Sequence, residues 1–567
     1  MSDTDNNLKF KVTVNGVFCD GTKISDPIKI VGLVKTLSEK NWKTRLQFKD
    51  MNGDICLLDL ENENIAQPLN FKKELIRKGF CPNIDSEKFK SYTRYMFSNV
   101  SAVARYIEAN QTGWINETTF LCPSFSVSAA DSKDNFFMQD CEETGYALSG
   151  TLEEWRDQVA DLCQNNSVLT FALCVALAPI LLRYFPEIGT TIFHLVGRSS
   201  IGKTTALKVA ASVWGNPKKY IKQWRATGNA QEGIAEKHND SLLILDEIGQ
   251  ANDRDIQQTI YMLGNEKGKS RMTVDAALKT TKSWRLLCLS SGEIGISEKI
   301  ESAGEHVHGG VLVRCIDIEA QSSQEIGIFE DLRGYSNGNE FSTTLAKRTS
   351  KYYGTAAKYF VDGLKDLDED VVRNIFDESL QRIKKRFDLE DSTDGAILRI
   401  LNTFALINIA GILASSDYIG VLNHNCGAID EDICNVLRRC LANFKSQEEK
   451  RAEIVEDVLQ FLQQNKVRFR KIIHNYSGKN LIYQDDDDRN IKWLGGIESA
   501  EGRQIYYIFP NAFKEEICKE KGEKLYRKIL KEEGIMLTYD NGENIRYKIN
   551  NDRMRMVTLC FVYNQTE

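Results

Sequence analysis

Short runs of alternating apolar and polar residues open the chain and predict a small β domain. The alternation covers residues 8 to about 65, and pairs such as Asn52-Gly53 mark turns between the runs. Helical spacing follows from residue 69, and a second strand-rich patch lies at residues 114–127. We therefore predict a β-rich N-terminal domain over residues 1–150.

After a helical stretch at residues 152–185, apolar strands, Gly-rich turns and helices alternate until about residue 320. This alternation is typical of a parallel sheet with helices packed on it. The longest apolar run, residues 168–182, contains Pro179 and is shorter than the roughly 20 residues that span a bilayer, so we interpret it as a buried helix. The prediction is an α/β core over residues 151–345.

Helical periodicity dominates up to about residue 444, where a charged segment marks a boundary. We predict a helical lid region over residues 346–445 and a winged-helix domain over residues 446–567, because helices followed by a hairpin fit that domain. Its predicted elements are helices at residues 454–464 and 525–533 and strands at 536–539 and 545–549.

Composition limits the classes of protein that fit. The 567 residues, 42% hydrophobic and 27% charged, are enough for several folded domains. The net charge of −7 argues against a general coat of positive charge, so any polyanion site is local. The acidic start resembles no signal or transit peptide, and the 14 cysteines are scattered without a C-x-x-C pair, which indicates reduced thiols and a cytoplasmic location.

The phosphate-loop motif G-x-x-x-x-G-K-[ST] follows the predicted strand at residues 191–196 and opens a helix, which is its required context. Glycines let backbone N–H groups point at phosphate oxygens. Lys203 would neutralise the β- and γ-phosphates of ATP, and the Thr204 hydroxyl would ligate Mg²⁺. The predicted nucleotide-binding residues here are Gly197, Arg198, Ser199, Ser200, Ile201, Gly202, Lys203, Thr204 and Thr205.

Two acids, Asp246 and Glu247, end the apolar run at residues 241–245. Asp246 would hold the Mg²⁺ shell, and Glu247 would orient and deprotonate the attacking water. The second acid favours an ATP-hydrolysing motor over a small-molecule kinase, which has to keep water away from the phosphate.

Other nucleotide-hydrolase classes match less well. A guanine-specific switch protein needs an N-K-x-D element, and Asn465-Lys466 lacks the acid. Residues 289–293 resemble the transporter-ATPase signature but follow the acidic strand instead of preceding it. No second nucleotide-fold lobe of a two-lobed helicase is visible.

Two further residues are candidates for the phosphate site. Ser291 ends the predicted strand at residues 284–289, where a polar side chain can sense the γ-phosphate. Arg314 lies within the apolar run at residues 309–318, predicted as a strand. Because burying an unpaired guanidinium is costly, Arg314 either pairs with an acid such as Asp317 or reaches a phosphate, which in a ring is the neighbour's ATP.

The basic segment, residues 267–282, carries five basic residues and one acidic residue in a chain that is negative overall. A two-strand excursion there would grip a phosphate backbone without reading sequence, although a solvated loop is the alternative. Glu305, His306 and His308 are interpreted as loop residues and not as a metal site. The candidate DNA contacts are Lys269, Arg271, Lys279 and Lys282.

The order of these elements resembles the MCM-like AAA+ helicases of bacterial mobile elements, a family first catalogued as domain of unknown function 927. The self-loading helicases of cassette chromosome elements belong to it. The resemblance covers roughly residues 10–420. Its motifs are residues 112–114, 197–204, 224–227, 245–250, 284–293, 314–318 and 353–356.

The resemblance implies a P-loop AAA+ core, a hexameric ring with ATP between subunits, and DNA threading a central pore behind an N-terminal collar. Arg314 matches the arginine finger supplied by the next subunit, and Arg399 is a candidate second trans-acting arginine. The predicted function is an ATP-dependent DNA helicase in replication of a mobile element or phage. Two alternatives stay open, namely a remodelling or loading ATPase without unwinding and an ATP-gated DNA-binding initiator.

Overall fold

Two compact units make up the computed structural model, and each is described by itself. The first unit comprises Met1–Ile296, Gly310–Ser392 and Leu398–Arg439, and the second comprises Ser297–Gly309, Thr393–Ile397 and Cys440–Glu567. The structure describes residues 9–37, 41–80, 91–92, 103–128, 135–138, 142–251, 256–269, 281–302, 307, 309–322, 326–365, 367–390, 394–443, 447–476, 480–483, 492–500, 503–518, 522–538, 544–549 and 552–562.

The N-terminal part of the first unit is rich in strands, as the alternating pattern predicted. Strands β1 to β3 form one small sheet, and β11-β7-β4-β5-β6 form a second, five-stranded sheet. Alternate side chains of β5, among them Leu46 and Phe48, are buried, which accounts for the period of two. The elements are β1 (Phe10–Thr13), β2 (Gly16–Cys19), β3 (Thr22–Ser25), β4 (Ile28–Thr36), β5 (Trp42–Lys49), β6 (Ile55–Glu61), helices Asn62–Ala66 and Pro68–Arg77, β7 (Ala104–Ala109), β8 (Gly113–Trp114), β9 (Phe120–Cys122), β10 (Phe125–Val127) and β11 (Asn135–Met138).

A five-stranded, all-parallel sheet forms the centre of the first unit. Its strands are β12 (Thr191–Val196), β13 (Lys222–Gln223), β14 (Leu242–Asp246), β15 (Leu287–Gly292) and β16 (Cys315–Glu319). Their order is β13-β14-β15-β12-β16, so β15 is inserted between β12 and β14. Because all five strands run the same way, the residues that follow β12, β14 and β15 meet at one end of the sheet.

Helices surround this sheet and supply most of its packing. The segment Ser167–Tyr184 and the helix Gly395–Ala414 are long and apolar enough to cross a membrane, but 94% and 72% of their residues are buried inside the protein. They serve as core helices here, as predicted for the first of them. The α-helices after β11 are Leu152–Trp155, Asp161–Cys163, Ser167–Leu177, Lys203–Ser212, Pro217–Tyr220, Gly228–Lys237, Ile256–Gly264, Ile296–Ser302, Gly309–Leu312, Gly338–Thr349, Thr355–Leu364, Glu369–Arg386, Gly395–Ala414 and Cys426–Asn443.

The strand predicted over residues 309–318 is shorter in the structure, and this part of the prediction was wrong. Gly309–Leu312 forms one helical turn, and β16 begins only at Cys315. The Arg314 amide donates to Val311 O at 3.0 Å and closes the turn. Arg314 therefore precedes the strand instead of lying within it.

The second unit contains a small sheet whose strand pairings close on themselves. The pairings run β20-β19-β17-β18-β22-β23, and β23 also pairs with β20, while β21 adds to β23. Hydrophobic side chains of these strands, among them Tyr507, Tyr547 and Met556, form a buried cluster within this circuit. The elements are helix Gln447–Gln464, β17 (Phe469–Tyr476), β18 (Asn480–Tyr483), β19 (Gly495–Ala500), β20 (Arg503–Ile508), helices Pro510–Ala512 and Glu523–Glu532, β21 (Met536–Leu537), β22 (Ile545–Ile549) and β23 (Asp552–Val562).

This arrangement differs from the single hairpin expected at the end of a winged helix. The two helices lie where the sequence predicted them, but β22 pairs with β23 and β21 pairs with the far part of β23. Four strands between Phe469 and Ile508 add to the sheet. The winged-helix assignment stays a prediction.

The closed circuit of strands predicts different stability effects for substitutions of two methionines in β23. Met556 is fully buried in the cluster, whereas Met554 is 39% exposed. We expect Met556→Ala to lower the free energy of unfolding by about 2–5 kcal/mol, because it leaves a cavity. Met554→Ala should change it by less than about 0.5 kcal/mol. Urea denaturation of both variants is the measurement, and equal effects would contradict the packing.

Candidate nucleotide site

The phosphate loop connects β12 to the helix Lys203–Ser212 through a tightly turned backbone. Gly202 caps the helix with φ of 107°, a conformation that favours glycine. A Cβ atom at this position would lie 3.0 Å from Ile328 Cγ1 and 3.1 Å from the Phe329 ring. The motif glycine is therefore required both by its backbone angle and by close packing.

Lys203 is held within the loop that precedes it. Its Nζ donates to the carbonyl oxygens of Gly197 and Arg198, both at 2.6 Å. Burial lowers the pKa of Lys203, while the carboxylates of Glu293 and Asp246, in that order of strength, act to raise it. The ammonium group is thus surrounded by oxygens at the carboxyl end of β12, where a phosphate chain would need it.

The two threonines after Lys203 differ in their surroundings. Thr204 is exposed, and its hydroxyl is accessible at the start of the helix. Thr205 is buried, and its Oγ1 lies 2.5 Å from Ser342 Oγ on the helix Gly338–Thr349. Thr205 was predicted to bind nucleotide, but its hydroxyl joins two helices in this structure.

Asp246 and Ser291 meet at the end of neighbouring strands. Ser291 Oγ donates to Asp246 Oδ1, which also accepts the Glu247 amide at 3.0 Å. Both side chains are buried. The contact arises because β14 and β15 are paired and parallel, so their ends lie side by side.

Glu247 leaves the strand in a different direction from Asp246. Its φ of 56° lies in the left-handed region, which a non-glycine residue occupies only at a cost. The side chain is exposed, and its carboxylate accepts a hydrogen bond from Gln250 Nε2. The turn of the backbone after β14 thus leaves the Asp246 carboxylate buried and the Glu247 carboxylate exposed.

A buried polar network beneath this site was not predicted. His194 Nε2 lies 3.1 Å from the carbonyl oxygen of Ile294, so Nε2 carries the proton, and Nδ1 accepts from Ser290 Oγ at 2.9 Å. Trp224 Nε1 donates to the same Ser290 oxygen at 2.8 Å. Burial lowers the pKa of His194 to about 4, which keeps the ring neutral. The one sign of this network in the sequence was a histidine inside the apolar strand that leads to the phosphate loop.

Arg314 lies at the other end of the sheet from the phosphate loop. Its carbonyl accepts the Ile192 amide at 2.8 Å, beside the start of β12, and the loop follows the far end of that six-residue strand. At about 3.3 Å per residue, the separation is roughly 17 Å. The guanidinium donates to Gly310 O at 2.9 Å and to Asn265 Oδ1 at 3.2 Å, and it lies 5.4 Å from the Tyr261 ring centre.

These partners bear on the two alternatives for Arg314. Among the described residues, the hydrogen-bond acceptors of its guanidinium are uncharged, whereas Asp317 accepts the Ile296 amide at 3.1 Å. The role of Arg314 at a phosphate stays a prediction.

An isolated antiparallel bridge between Lys267 and Ser283 joins the two ends of the basic segment. The Gly268 amide donates to Lys282 O at 2.9 Å, and the Trp284 amide donates to Glu266 O at 3.1 Å. Lys269 is exposed, but Lys282 forms an ion pair with Glu236 at 3.0 Å. Arg271 and Lys279 lie outside the described residues. The structure thus assigns Lys282 a partner within the protein.

The remaining candidates do not join the site in the described part of the chain. Arg399 is exposed on the helix Gly395–Ala414, and no contact between described residues connects it to the phosphate loop. Glu305, His306 and His308 lie outside the described residues. Within the ranges that the structure does describe, no cluster of three His, Cys, Asp or Glu residues is arranged to hold a metal.

Comparison with known proteins bears on the family resemblance and on the fold. Residues 11–283 match the family model described as "Domain of unknown function (DUF927)", which confirms the resemblance found in the sequence. A solved structure titled "SCCmec type IV Cch - active helicase" matches with a TM-score of 0.68 and 18% sequence identity. The match covers 97% of this chain and 96% of that chain, so the two share a fold over nearly their whole length. No curated protein matches by sequence.

The neutral state of His194 predicts a pH-dependent stability. The pKa of a histidine is about 6.5 in the unfolded chain and about 4 in the folded protein, so the unfolded state binds more protons between these values. The contribution of His194 is complete above pH 6.5 and is lost as the pH falls toward 4. We expect His194→Gln to reduce the slope of unfolding free energy against pH in this window by up to about 1.4 kcal/mol per pH unit. Denaturant unfolding at several pH values measures it, and identical slopes would contradict the assignment.

Proposed function

We propose that this protein is an ATP-driven DNA helicase of the P-loop AAA+ class that works as a ring. The observation that carries the proposal is the position of β15 between β12 and β14, which brings a polar strand end between the lysine of the phosphate loop and the Asp246-Glu247 pair. The likeness of fold to a structure titled as an active helicase supports it.

The site has the chemistry needed for ATP and Mg²⁺. The available donors are the exposed Thr204 hydroxyl and the Asp246 carboxylate, and oxygen ligands suit Mg²⁺. Lys203, placed at the carboxyl end of β12, would neutralise phosphate charge. When bound, Mg²⁺ supplies further neutralisation of the phosphate oxygens. Asp246 is oriented for this role by Ser291 and by the Glu247 amide.

Glu247 is assigned as the general base. Its side chain points away from Asp246 into solvent-accessible space, so it can hold a water instead of the metal. Gln250 donates to its carboxylate and fixes its direction. Ser291 is assigned as the sensor, because a change at the γ-phosphate would reach it through the Asp246 carboxylate.

The position of Arg314 is the reason for proposing a ring. Because the backbone of Arg314 lies roughly 17 Å from its own phosphate loop, its guanidinium is proposed to serve a nucleotide bound by another copy of the chain. Heterologous contacts of this kind close into a ring when the rotation between neighbouring copies closes. Six subunits, and Arg399 as a second arginine acting in trans, rest on the family resemblance.

DNA is proposed to pass through the centre of the ring. The antiparallel bridge between Lys267 and Ser283 brings the two ends of the basic segment together, and Lys269 is exposed at its start. Lys269, Arg271 and Lys279 would contact the phosphate backbone of DNA. Lys282 would instead anchor the end of the basic segment to the protein through its ion pair with Glu236. Replication of a mobile element or phage is the proposed setting, in the cytoplasm.

Glu247→Gln tests the motor. We expect ATP turnover to fall by about 10²- to 10⁴-fold with ATP binding retained, since a general base contributes that range. Glu187→Gln, which removes an exposed carboxylate elsewhere, is the matched control. Turnover and displacement of a strand from a forked duplex are measured together. Turnover by the parent protein without displacement on any fork would select the remodelling ATPase, and DNA binding without repeated turnover would select the initiator.

Mixing inactive subunits tests whether Arg314 acts in trans. Arg314→Ala and Lys203→Ala should each lower turnover by about 10³-fold or more when alone. In a 1:1 mixture, about a quarter of the interfaces should combine an intact phosphate loop from one subunit with an intact arginine from the next. ATP turnover should recover at those interfaces. The control mixture of Lys203→Ala with Glu247→Gln should stay inactive, since both changes affect the same pocket. No recovery in the first mixture would refute a shared site.

A further inference from the structure

Four cations lie together on the outer face of the β22–β23 hairpin in the second unit. The register places Arg546 opposite Arg555 and Lys548 opposite Arg553. Successive residues of a strand alternate between faces, so these four share one face, and all four are exposed. The hairpin therefore presents two like-charged pairs side by side, which we call the basic hairpin.

This arrangement is unfavourable for the isolated protein. Like charges directly opposite each other on paired strands destabilise the pairing. Among the residues that the structure describes, no ion pair involves any of the four. The strands tolerate the repulsion because their other face is anchored, with Ile545, Tyr547 and Met556 buried in the cluster within the closed circuit of strands.

The geometry suits a ligand with closely repeated negative charge. Cationic positions two residues apart along a strand are separated by about 6.6 Å, and opposite positions by about 5 Å. Double-stranded DNA carries one negative charge per about 1.7 Å of its axis, so a patch of this size faces several phosphates at once. A polyanion would replace the repulsion between the four cations by attraction.

The composition of the face distinguishes between kinds of nucleic acid. Proteins that bind single strands combine cations with aromatic side chains on which bases stack. The aromatic residue of β22, Tyr547, is buried, and Phe561 of β23 is 7% exposed. The face therefore offers contacts to phosphates and no stacking platform for bases.

We propose that the basic hairpin is a second DNA-binding surface that holds the phosphate backbone of duplex DNA. It is distinct from the basic segment of the first unit, and its contact with DNA does not depend on ATP hydrolysis. Such a surface would hold the duplex by charge and without sequence preference.

The experiment compares two full-length variants with equal change of charge. In the test variant, Arg546, Lys548, Arg553 and Arg555 are all changed to Gln. In the control, four exposed lysines elsewhere in the same unit are changed to Gln, namely Lys466, Lys514, Lys524 and Lys531. Binding to a duplex and to a single strand of the same length is measured without nucleotide at several salt concentrations.

We expect the test variant to bind the duplex at least tenfold more weakly at low salt. Its slope of log affinity against log salt should become shallower by about 0.9 for each lost phosphate contact, or about 3 to 4 in all. The control should bind nearly as the parent does. The melting temperature of the test variant should be equal to or above that of the parent, because two repulsive pairs are removed.

Three results would overturn the proposal. These are duplex binding by the test variant equal to that of the parent, an equal loss in both variants, and a loss confined to the single strand. Basal ATP turnover is recorded in parallel and should not change in the test variant. A failure of the helicase assignment would be visible in strand displacement by the parent protein, whereas a failure of this proposal would be visible only in the comparison of variants.

Discussion

The parallel pairing of β15 with both β12 and β14 is the constraint on which the candidate site depends. Each strand contributes one chemical group at its carboxyl end, and the sheet brings these ends together although they are far apart in sequence. The Ser291–Asp246 hydrogen bond is the direct result of that order. If β15 lay at an edge of the sheet, it could pair with only one of these two strands. The buried contacts of Ser290 with His194 and Trp224 join β15 to β12 and to the residue that follows β13.

The same parallel sheet has a second end, and its polarity separates Lys203 from Arg314, two groups that are proposed to act in hydrolysis. Lys203 lies where β12 ends, while Arg314 lies beside the residue where β12 begins. One subunit cannot bring both to one phosphate without breaking the sheet. If Lys203 and Arg314 act on one phosphate, as proposed, they come from two copies of the chain, and coupling between neighbouring subunits would follow from the same geometry.

Sequence reasoning succeeded where a local rule acts on the backbone. The phosphate loop could be predicted because Gly202 needs a positive φ and because the loop joins a strand to a helix. The parallel core could be predicted from the alternation of strands and helices. The hydrogen bond between Ser291 and Asp246, the partners of Lys282 and the helical turn before Arg314 depend on residues distant in sequence, which periodicity does not reveal. The closed pairing of β17 to β23 could not be predicted for the same reason. The residue pattern of each strand indicates a short, half-buried strand but does not indicate which other strand it pairs with.

Charge distribution explains how a chain of net charge −7 can act on a polyanion. Many acids in the described parts neutralise nearby cations, as Glu236 does for Lys282 and Asp430 and Glu431 do for Arg386. Each neutralised cation adds little to the field that a polyanion would meet at the protein surface. The cations of the β22–β23 hairpin are instead placed opposite one another, where their fields add. Screening at physiological salt acts over about 8 Å, so a bound phosphate responds to this local group and not to the net charge of the chain.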